Sequence, residues 1–352
     1  MAAALASSRP SLRVAGQDQP DLVAQLLQLD IRDDAQGLAR CEAEFGNWGV
    51  VDGRSGFRYF DRALLDFGKG FEVRLGDSLL FDGRVMGLRA SFPEGAPPRI
   101  TVLADDRLQD LRMTRRSRSF TDSSDADVAQ RIANDHGLQA QVDLPGPAHR
   151  HLAQVNQSDL AFLHERARAN DAELWLDGLT LHLQQRAQRH AGAVTLTHGH
   201  QLRSFEVLAD LAAQRSKVTA CGWDVAGKQA IAEDATDSAL GAELGNDQSG
   251  PALLQAQFGA RNETLAHGLP VTSTEARTLA EAYLRASARR FVTGHGVAET
   301  SAGLRVGSRA DLQGLGTVFS GSYTITTLRH RFDSALGLRT EFQVERAGIG
   351  QR

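Results

Sequence analysis

Residues 157–183 have the sequence QSDLAFLHERARANDAELWLDGLTLHL, which predicts a helix followed by a β-hairpin. Ser158 can cap the first helical turn. Apolar residues then recur at the spacing of one helix face, at Leu160, Leu163 and Ala167. The polar pair at residues 170–171 ends this pattern. The first half of the stretch is therefore predicted to be helical.

The second half of the stretch predicts two antiparallel strands. Residues 173–176 form the first strand. Asp177-Gly178 is the pair that a tight two-residue turn favours, because both central positions need positive φ. On the return strand, Leu179, Leu181 and Leu183 alternate with polar residues and share one face. The whole stretch is a compact scaffold unit without an obvious catalytic residue.

The first hundred residues predict antiparallel β structure. Leu27, Leu29 and Ile31 alternate with polar neighbours before a turn at residues 33–37, and a partner strand alternates over residues 39–45. Such a hairpin has one face on the core and one face exposed to solvent.

Further turns follow in the same region. Gly76-Asp77 predicts the turn of a second hairpin, and Asp82-Gly83 predicts another turn. A strand at residues 100–104 ends in charged residues. Many short strands with Gly and Asp turns indicate a small barrel or sandwich.

The composition changes after residue 110. Residues 112–118, RMTRRSR, are basic, and Ser124 with Asp127 predicts a capped helix that ends at Gly137. Together with the opening stretch, residues from about 110 to 190 predict a small α+β domain within a β-rich chain.

The last third returns to β structure with one long interruption. Residues 225–262 carry little periodicity and predict a mobile loop. Thr272 and Glu275 predict a capping box for an amphipathic helix. Closing strands are predicted at residues 317–328, 329–333 and 339–346.

The overall composition is that of a globular protein of two or three domains. The 352 residues are 41% hydrophobic and 23% charged, and the net charge of -4 gives no basic face for nucleic acid. Cys41 and Cys221 lie far apart, which indicates reduced thiols. The N-terminal apolar run is too short for a signal peptide, and no stretch has the apolar length of a membrane span.

Candidate chemical motifs do not assemble into a recognised site. His164-Glu165 lacks the second histidine of a zinc protease, because position 168 is Arg168. Two histidine pairs have a spacing that a metal could use, but neither has an acidic or cysteine partner at a recognised spacing: His149 with His151, and His198 with His200. No catalytic, cofactor-binding or metal-binding residue is assigned.

Other polar and glycine-rich segments have structural explanations. Residues 314–316 lack the third glycine of a dinucleotide fingerprint. The acidic pairs Asp105-Asp106 and Glu233-Asp234 are interpreted as solvated turns. Residues 112–118 carry no interleaved aromatic residues, which favours an exposed strand or a protein interface over nucleic-acid binding.

Several short motifs, taken in order, carry a resemblance to a known family. They are Gly76-Asp77 with Leu80-Phe81-x-Gly83-x-Val85, Ile100-Thr101-Val102 before Asp106-Arg107-Leu108, Ser158-Asp159-Leu160-Ala161-Phe162-Leu163 with Trp175-Leu176-Asp177, Gly222-Trp223-Asp224, Gly321-x-Tyr323 with His330-x-Phe332, and Gly337-x-Arg339-Thr340-x-Phe342 with Arg346. In order and spacing the chain resembles the phage late control protein D family. This family contains baseplate hubs of contractile tails and the hub region of VgrG-type spike proteins in type VI secretion and extracellular contractile injection systems.

The resemblance implies a mainly β fold with α+β insertions. Two tube-like antiparallel β-barrel domains and a small α+β domain are expected, so that a homotrimer forms a pseudo-sixfold ring. The expected domains are residues 1–108 for the first barrel, 109–190 for the α+β insertion, 191–218 with 300–352 for the second barrel, and 219–299 for a loop and helix insertion.

The resemblance also implies a structural role and no enzymatic activity. The expected function is a baseplate hub, a symmetry adaptor that joins the sixfold inner tube to the threefold spike. Expected partners are a separate spike protein of the OB-fold and β-helix type, because the sequence stops at Arg352 after the last hub strand, together with an inner tube or tube-initiator protein and other baseplate components. No cofactor, nucleic acid or membrane insertion is expected. The protein would be made in the cytoplasm and then join an assembled particle.

Two alternatives differ in class from a hub. One is a tail-associated cell-wall hydrolase, which would need an acid pair or a metal set in a cleft. The other is a glycan-binding module on the α+β unit, with Trp175 as a stacking platform or, on the structural interpretation, half-buried in the hairpin.

Overall fold

The computed structural model describes residues 9–35, 37–189 and 191–350. The chain is mainly β, with 49% strand and 21% helix. The predicted N-terminal apolar run at residues 1–8 and Gln36 of the predicted turn at 33–37 lie outside the described residues.

The first β region contains nine strands and one short helix among the described residues. They are β1 (Ser11–Val14), β2 (Gln17–Asp18), α1 (Pro20–Ala24), β3 (Leu26–Asp34), β4 (Arg40–Gly46), β5 (Trp48–Val51), β6 (Arg54–Phe57), β7 (Gly70–Leu75), β8 (Ser78–Ser91) and β9 (Arg99–Asp105).

The α+β unit follows. Its elements are α2 (Leu108–Arg112), β10 (Arg115–Ser123), α3 (Asp125–Asp135), β11 (Gln139–Asp143), β12 (His149–Ser158), α4 (Asp159–Ala169), β13 (Ala172–Asp177) and β14 (Thr180–Gln185), followed by a 3-10 turn at Arg186–Gln188.

The remaining elements form a second β region interrupted by an inserted segment. They are β15 (Ala193–Thr197), β16 (Leu202–Ala209), β17 (Lys217–Asp224), β18 (Gln229–Thr236), a 3-10 turn (Asp237–Leu240), α5 (Gly241–Leu244), β19 (Gln248–Ser249), α6 (Gly250–Phe258), β20 (Asn262–Leu265), α7 (Ser273–Arg289), β21 (Val292–Glu299), β22 (Arg309–Gln313), α8 (Gly316–Phe319), β23 (Gly321–Asp333), β24 (Gly337–Arg346) and β25 (Gly348–Ile349).

One large sheet joins the first and second β regions. Within the described residues it has thirteen strands, in the order β16-β21-β24-β23-β3-β4-β9-β8-β7-β1-β2, with β22 paired to β23 and β15 paired in parallel to β22. The junction is the antiparallel pair β3–β23. Each half of the sheet covers its own hydrophobic core, one around Phe45 and Phe71 and the other around Tyr323 and Phe342. Strand pairing in one continuous sheet therefore joins the two predicted barrel units.

The strand ends of this sheet define two different ends of the molecule. At one end Gly46 pairs with Arg99, and Asp333 pairs with Gly337; we call this the open end. At the other end the chain leaves the sheet after Asp105 for the α+β unit and after Ala209 for residues 217–289. We call this the insertion end. Both inserted units therefore leave from the same end of the strands.

The α+β unit has a core of its own, formed as the sequence predicts. Ser158 accepts a hydrogen bond from the Ala161 N–H and begins α4, and Leu163 and Ala167 are buried. Ser124 and Asp127 form a complete capping box on α3. The β13–β14 hairpin pairs in register, but its two turn residues are Gly178 and Leu179. Leu179 is therefore exposed in the turn rather than on the buried face of the return strand.

Residues 225–262 are not a loop, so the prediction of a mobile segment was wrong. They contain β18, α5, β19 and α6 and part of β20. Strand β18 pairs with β17 along its whole length, and Ile231 and Ala235 face the core beneath α7. The alternation of buried and exposed residues on this strand is hard to recognise in the sequence, because several of its residues are alanine. Strand β21, placed in the insertion by the sequence, lies in the large sheet between β16 and β24.

Two predictions in the first β region were also wrong. Asp82-Gly83 is not a turn but lies within the continuous strand β8, where Gly83 allows close approach of the Asp105 carbonyl and the Phe81 ring. Leu27 is exposed rather than buried, because a register shift between Leu26 and Gln28 moves it to the other face.

The ends of two later elements also differ from prediction. The strand predicted at residues 317–328 begins with α8, and β23 then continues without a break to Asp333. At the start of α7, the Thr272 hydroxyl accepts a hydrogen bond from the Glu275 N–H. The Glu275 carboxylate accepts from the Val271 N–H rather than from the Thr272 N–H, so the predicted capping box is incomplete.

Candidate functional site

A cleft of about 620 Å³ lies at the insertion end, where the first β region, the α+β unit and the second β region meet. Its walls include Asp33 and Asp106 from the first region, Trp175 and Arg189 from the α+β unit and its exit, and Arg305 with His330 from the second region. Three parts of the chain that are distant in sequence thus share one charged joint.

Asp106 connects two of these parts through its carboxylate. It accepts hydrogen bonds from the backbone N–H of Ala39 at 3.0 Å and of Leu108 at 3.0 Å. Burial raises the pKa of Asp106 to about 7, and the charge of Asp33 adds to the rise against the two N–H donors. Asp105 ends β9 and forms an ion pair with Arg40. The interpretation of Asp105-Asp106 as a solvated turn was therefore wrong.

Aromatic and imidazole rings line the same cleft. Trp175 stacks on its cross-strand neighbour His182 at 4.8 Å between ring centroids, and the Arg189 guanidinium lies 4.5 Å from the Trp175 ring centre. These contacts favour the half-buried interpretation of Trp175 over a free stacking platform. Burial lowers the pKa of His330 to about 4, and its Nδ1 is 2.8 Å from Thr340 Oγ1.

The basic run at residues 112–118 forms ion pairs inside the α+β unit. Arg118 donates to the Asp159 carboxylate at 2.7 Å, and Arg116 lies 3.2 Å from it. Gln154 and His136 complete the set of groups around Asp159, which is 1% exposed in its side chain. Two arginines of the run therefore hold the first turn of α4. This finding favours a structural role for the run over nucleic-acid binding.

A second ion network joins the α+β unit to the inserted segment. Arg289 at the end of α7 is 6% exposed in its side chain and donates to both oxygens of Asp171, the residue after the α4 C-cap. The same guanidinium donates to Glu243 of α5 at 2.9 and 2.6 Å. Arg186 pairs with Glu345 of β24 and attaches the exit of the unit to the large sheet. Buried charge pairs thus fix the inserted units to one another and to the sheet.

The histidine pairs proposed from spacing do not converge. His149 binds Glu275 of α7 at 2.9 Å, whereas His151 is exposed. His198 and His200 lie in the connection after β15. Among the described residues there is no group of three or more His, Cys, Asp or Glu side chains arranged to hold a metal ion. Glu233 and Asp234 lie on β18 and pair with Arg277 and Lys217, so they are not a turn.

The open end carries exposed aromatic residues that sequence reasoning missed. Trp48 and Phe57 face each other across the β5–β6 hairpin at 5.2 Å, and Phe92 of the β8–β9 connection lies 6.1 Å from Phe57. Their exposures are 46%, 45% and 64%. Buried Asn47 anchors the hairpin by accepting from the Arg58 and Tyr59 N–H groups. We call Trp48, Phe57 and Phe92 the aromatic patch.

A compositional signal for this patch exists in the sequence. Six aromatic residues lie between positions 45 and 67 of a chain that is only 6% aromatic. Exposed apolar patches occur where proteins contact other proteins, membranes or ligands, so the aromatic patch is a candidate contact surface.

No helix in the described part of the chain has both the length and the apolar character to cross a membrane.

Comparisons with known proteins give one family match and several structural matches. The family described as the Alg8 N-terminal domain matches residues 24–334. The chain belongs to this family. That description names a domain and states no activity. No curated protein matches the sequence.

Solved structures with the same fold include tail proteins and a type VI secretion component. A 43 kDa tail protein of prophage MuSo2 from Shewanella oneidensis has a TM-score of 0.71 at 14% identity, covering 96% of this chain and 98% of that one. A tail protein from Neisseria meningitidis has a TM-score of 0.68 at 13% identity, covering 97% of both chains. An E. coli protein described as a type VI secretion component similar to T4 tail proteins has a TM-score of 0.59 at 14% identity, covering 97% of this chain and 78% of that one.

These likenesses establish the fold. This chain has the mainly β architecture of phage tail proteins and of a type VI secretion component. The tail-protein fold expected from the sequence motifs is confirmed at this level, while the late control protein D assignment, the trimer and its pseudo-sixfold ring stay predictions.

Proposed function

We propose that this protein is a structural baseplate hub of a contractile tail or contractile injection system. The observation that carries the proposal is the agreement of fold along almost the whole length of this chain and of two tail proteins. The charged cleft supports a structural role, since Arg189, Arg305 and Asp106 bond to the protein itself. The proposed role is non-enzymatic and uses no cofactor.

The proposed assembly is a homotrimer that acts as a symmetry adaptor between an inner tube and a spike protein. The two halves of the large sheet are the proposed barrel domains, one within residues 1–108 and the other at 191–218 with 292–352, because β21 belongs to the sheet. The α+β unit at 109–190 and residues 219–291 are the proposed insertions. The protein joins other baseplate components in the particle after synthesis in the cytoplasm.

The two ends of the sheet support a direction for this adaptor. Both inserted units leave from the insertion end, whereas the open end carries the β5–β6 hairpin, the connections at residues 92–98 and 334–336, and the aromatic patch. A partner ring can abut these connections more closely than it can abut the inserted units. The open end is accordingly the face assigned to the tube side.

Co-purification of the chain with candidate tube and spike proteins tests the proposal. The wild-type chain is expected to retain both partners. Trp48→Asp is expected to lose the tube protein and keep the spike protein, because the charge removes apolar contact at the open end. Trp223→Asp is the matched control, since Trp223 is 52% exposed on β17 of the inserted segment. A wild-type chain that retains neither partner would overturn the proposed function.

A further inference from the structure

The two halves of the large sheet repeat one arrangement of four strands. In the first half the spatial order is β3-β4-β9-β8, and in the second half it is β16-β21-β24-β23. Numbered along the chain, the four strands of each half stand in the order first, second, fourth and third. The shared order indicates that the two halves are equivalent units.

The irregularities in strand pairing coincide as well. The register between the first and second strands shifts between Leu26 and Gln28 in the first half, and between Leu202 and Ser204 in the second half. β-Bulges are specific features of a sheet, so this coincidence aligns β3 with β16 residue by residue.

A second bulge aligns the third strands in the same way. The register between the third and fourth strands shifts after Val85 in β8 and after Ile325 in β23. The Val85 carbonyl accepts a hydrogen bond from the Gly68 N–H, and the Ile325 carbonyl accepts one from the Gly307 N–H, each at 2.8 Å. Each residue of β8 therefore has a defined counterpart in β23.

Within the chain, the two units join through one strand pair. The third strand of the second half, β23, pairs antiparallel with the first strand of the first half, β3. At this junction Arg329 donates to the Asp30 carboxylate at 2.9 Å. Leu29, Ile31 and Leu328 are 2%, 1% and 2% exposed. The β3–β23 junction thus combines backbone pairing, buried apolar side chains and an ion pair.

The counterparts of these two strands have free edges at the outer ends of the sheet. Within the described residues, β16 has β21 as its strand partner on one side and no strand on the other. Strand β8 pairs with β7 up to Arg84, so its residues 86–91 pair on one side, with β9. Counted from the bulges, residues 86–91 correspond to residues 326–331 of β23.

Apolar side chains at the free edges are less covered than their counterparts at the junction. Val207 of β16 is partly buried, whereas its counterpart Ile31 is 1% exposed. Leu88 of β8 is partly buried, whereas its counterpart Leu328 is 2% exposed. Leu208 of β16 is 61% exposed. A strand added to each free edge would cover such side chains and pair the open backbone groups.

The charges of the two free edges are complementary. Glu206 of β16 is the counterpart of Asp30, and Arg89 of β8 is the counterpart of Arg329. The Glu206 and Arg89 side chains are 82% and 58% exposed, and their ion contacts within one copy are long, at 3.6 Å. The free edges therefore carry opposite charges at the two positions that form an ion pair at the junction.

We propose that β16 of one copy pairs with β8 of the next copy in the register of the β3–β23 junction. The partner is a second copy, because this chain supplies both matching edges. Leu208 then lies opposite Arg89 of the next copy, and Glu206 lies opposite Ser91 and diagonal to Arg89, where the two charges can pair.

This contact is head to tail, because the two edges differ. Head-to-tail contacts close into a ring when the rotation between copies allows it, and a ring of three copies would contain six equivalent units. The contact rests on the proposed hub trimer and names the edges that form it.

The register predicts where a disulfide can join two copies. At the junction the Ala35 N–H donates to the Thr326 carbonyl, so hydrogen-bonded and non-hydrogen-bonded pairs alternate from that point. The counterpart of Leu208 with Arg89 is a non-hydrogen-bonded pair. Its Cα atoms would lie about 4.5 Å apart, within the range that a disulfide spans.

Oxidative cross-linking tests this contact in the chain co-expressed with its candidate spike protein. The variant carries Leu208→Cys and Arg89→Cys in a Cys221→Ser background, and the remaining Cys41 is buried. After oxidation it is expected to run mainly as a covalent trimer on a non-reducing denaturing gel. The band should return to a single chain on reduction.

Matched variants separate this register from random contact. Leu208→Cys alone should stay a single chain, and so should Leu208→Cys with Leu336→Cys, which places the second thiol in the exposed β23–β24 turn. Glu206→Cys with Ser91→Cys is a second reporter at the next non-hydrogen-bonded pair. A trimer by light scattering in which neither designed pair cross-links overturns the contact and leaves the hub proposal standing. A wild-type chain that stays monomeric with the spike protein overturns both.

Discussion

Replacing Arg289 with alanine tests the claim that buried charge pairs hold the inserted units together. The guanidinium is 6% exposed and bonds to Asp171 beside the α+β unit and to Glu243 of α5. The two carboxylates hold the pKa of Arg289 above its usual range. The variant leaves both acids without their main partner.

The magnitude follows from what remains after the change. Removing one partner of a buried ion pair costs about 3–5 kcal/mol of unfolding free energy. Asp171 keeps Arg285 at 3.8 Å, and the Glu243 side chain is 28% exposed, so both acids retain some compensation. The lower end of the range applies. We expect Arg289→Ala to lower the unfolding free energy by about 3 kcal/mol.

Urea unfolding followed by circular dichroism measures this effect. Arg290→Ala is the matched control, because Arg290 is the exposed neighbour at the C-cap of α7 and should change stability by less than about 0.5 kcal/mol. Arg289→Met keeps much of the apolar stem and separates loss of packing from loss of charge. If Arg289→Ala and Arg290→Ala unfold at the same urea concentration, the network does not join the units and the reasoning fails.

Three further predictions concern the cores. Burial lowers the pKa of His330 and of His164 to about 4, so the unfolded chain binds more protons below pH 6.5 and stability should fall as pH drops from 6.5 towards 4. His330→Gln should weaken this dependence in urea unfolding, and an unchanged slope would contradict it. Asp159→Ala should lower the unfolding free energy by about 3–5 kcal/mol. Asp135→Ala removes a more exposed ion pair and should lower the unfolding free energy by at most about 1 kcal/mol. Equal losses in the two variants would exclude a stabilising role for the buried groups around Asp159. Gly83→Ala should cost about 1–3 kcal/mol from overpacking within β8, and a thermal midpoint equal to that of the wild type would refute the close approach.

Local signals explain why the α+β unit could be predicted well. The caps at Ser124 and Ser158 and the helical spacing that follows each use residues within a few positions of one another. Such signals act before the chain makes distant contacts. The alternation over β4 succeeds for the same reason, since Cys41, Ala43 and Phe45 all face one core.

Long-range contacts explain the failures. Gly83 looks like a turn residue, but it serves the approach of β9 to β8, and no local pattern reveals that neighbour. The register shift that exposes Leu27 depends on how β3 meets β4. Strand β18 was missed because small residues such as Ala235 fill the space beneath α7 where larger apolar residues would have shown the period.

The charged joint and the aromatic patch could not be assigned from sequence for a related reason. Asp33 and Asp106 belong to segments far apart in the chain, and only the order of strands in the sheet brings them to one end. The aromatic density around Trp48 is visible in the sequence, but the exposure of these rings depends on the anchoring of the hairpin by Asn47.

The central claim is that this chain is a trimeric hub, and absolute mass tests it most directly. Light scattering coupled to size-exclusion chromatography would be made on the chain co-expressed with its candidate spike protein, because a hub can depend on its spike to trimerise. The account predicts a complex that contains three copies of this chain. A chain that remains monomeric in the presence of the spike protein would contradict it.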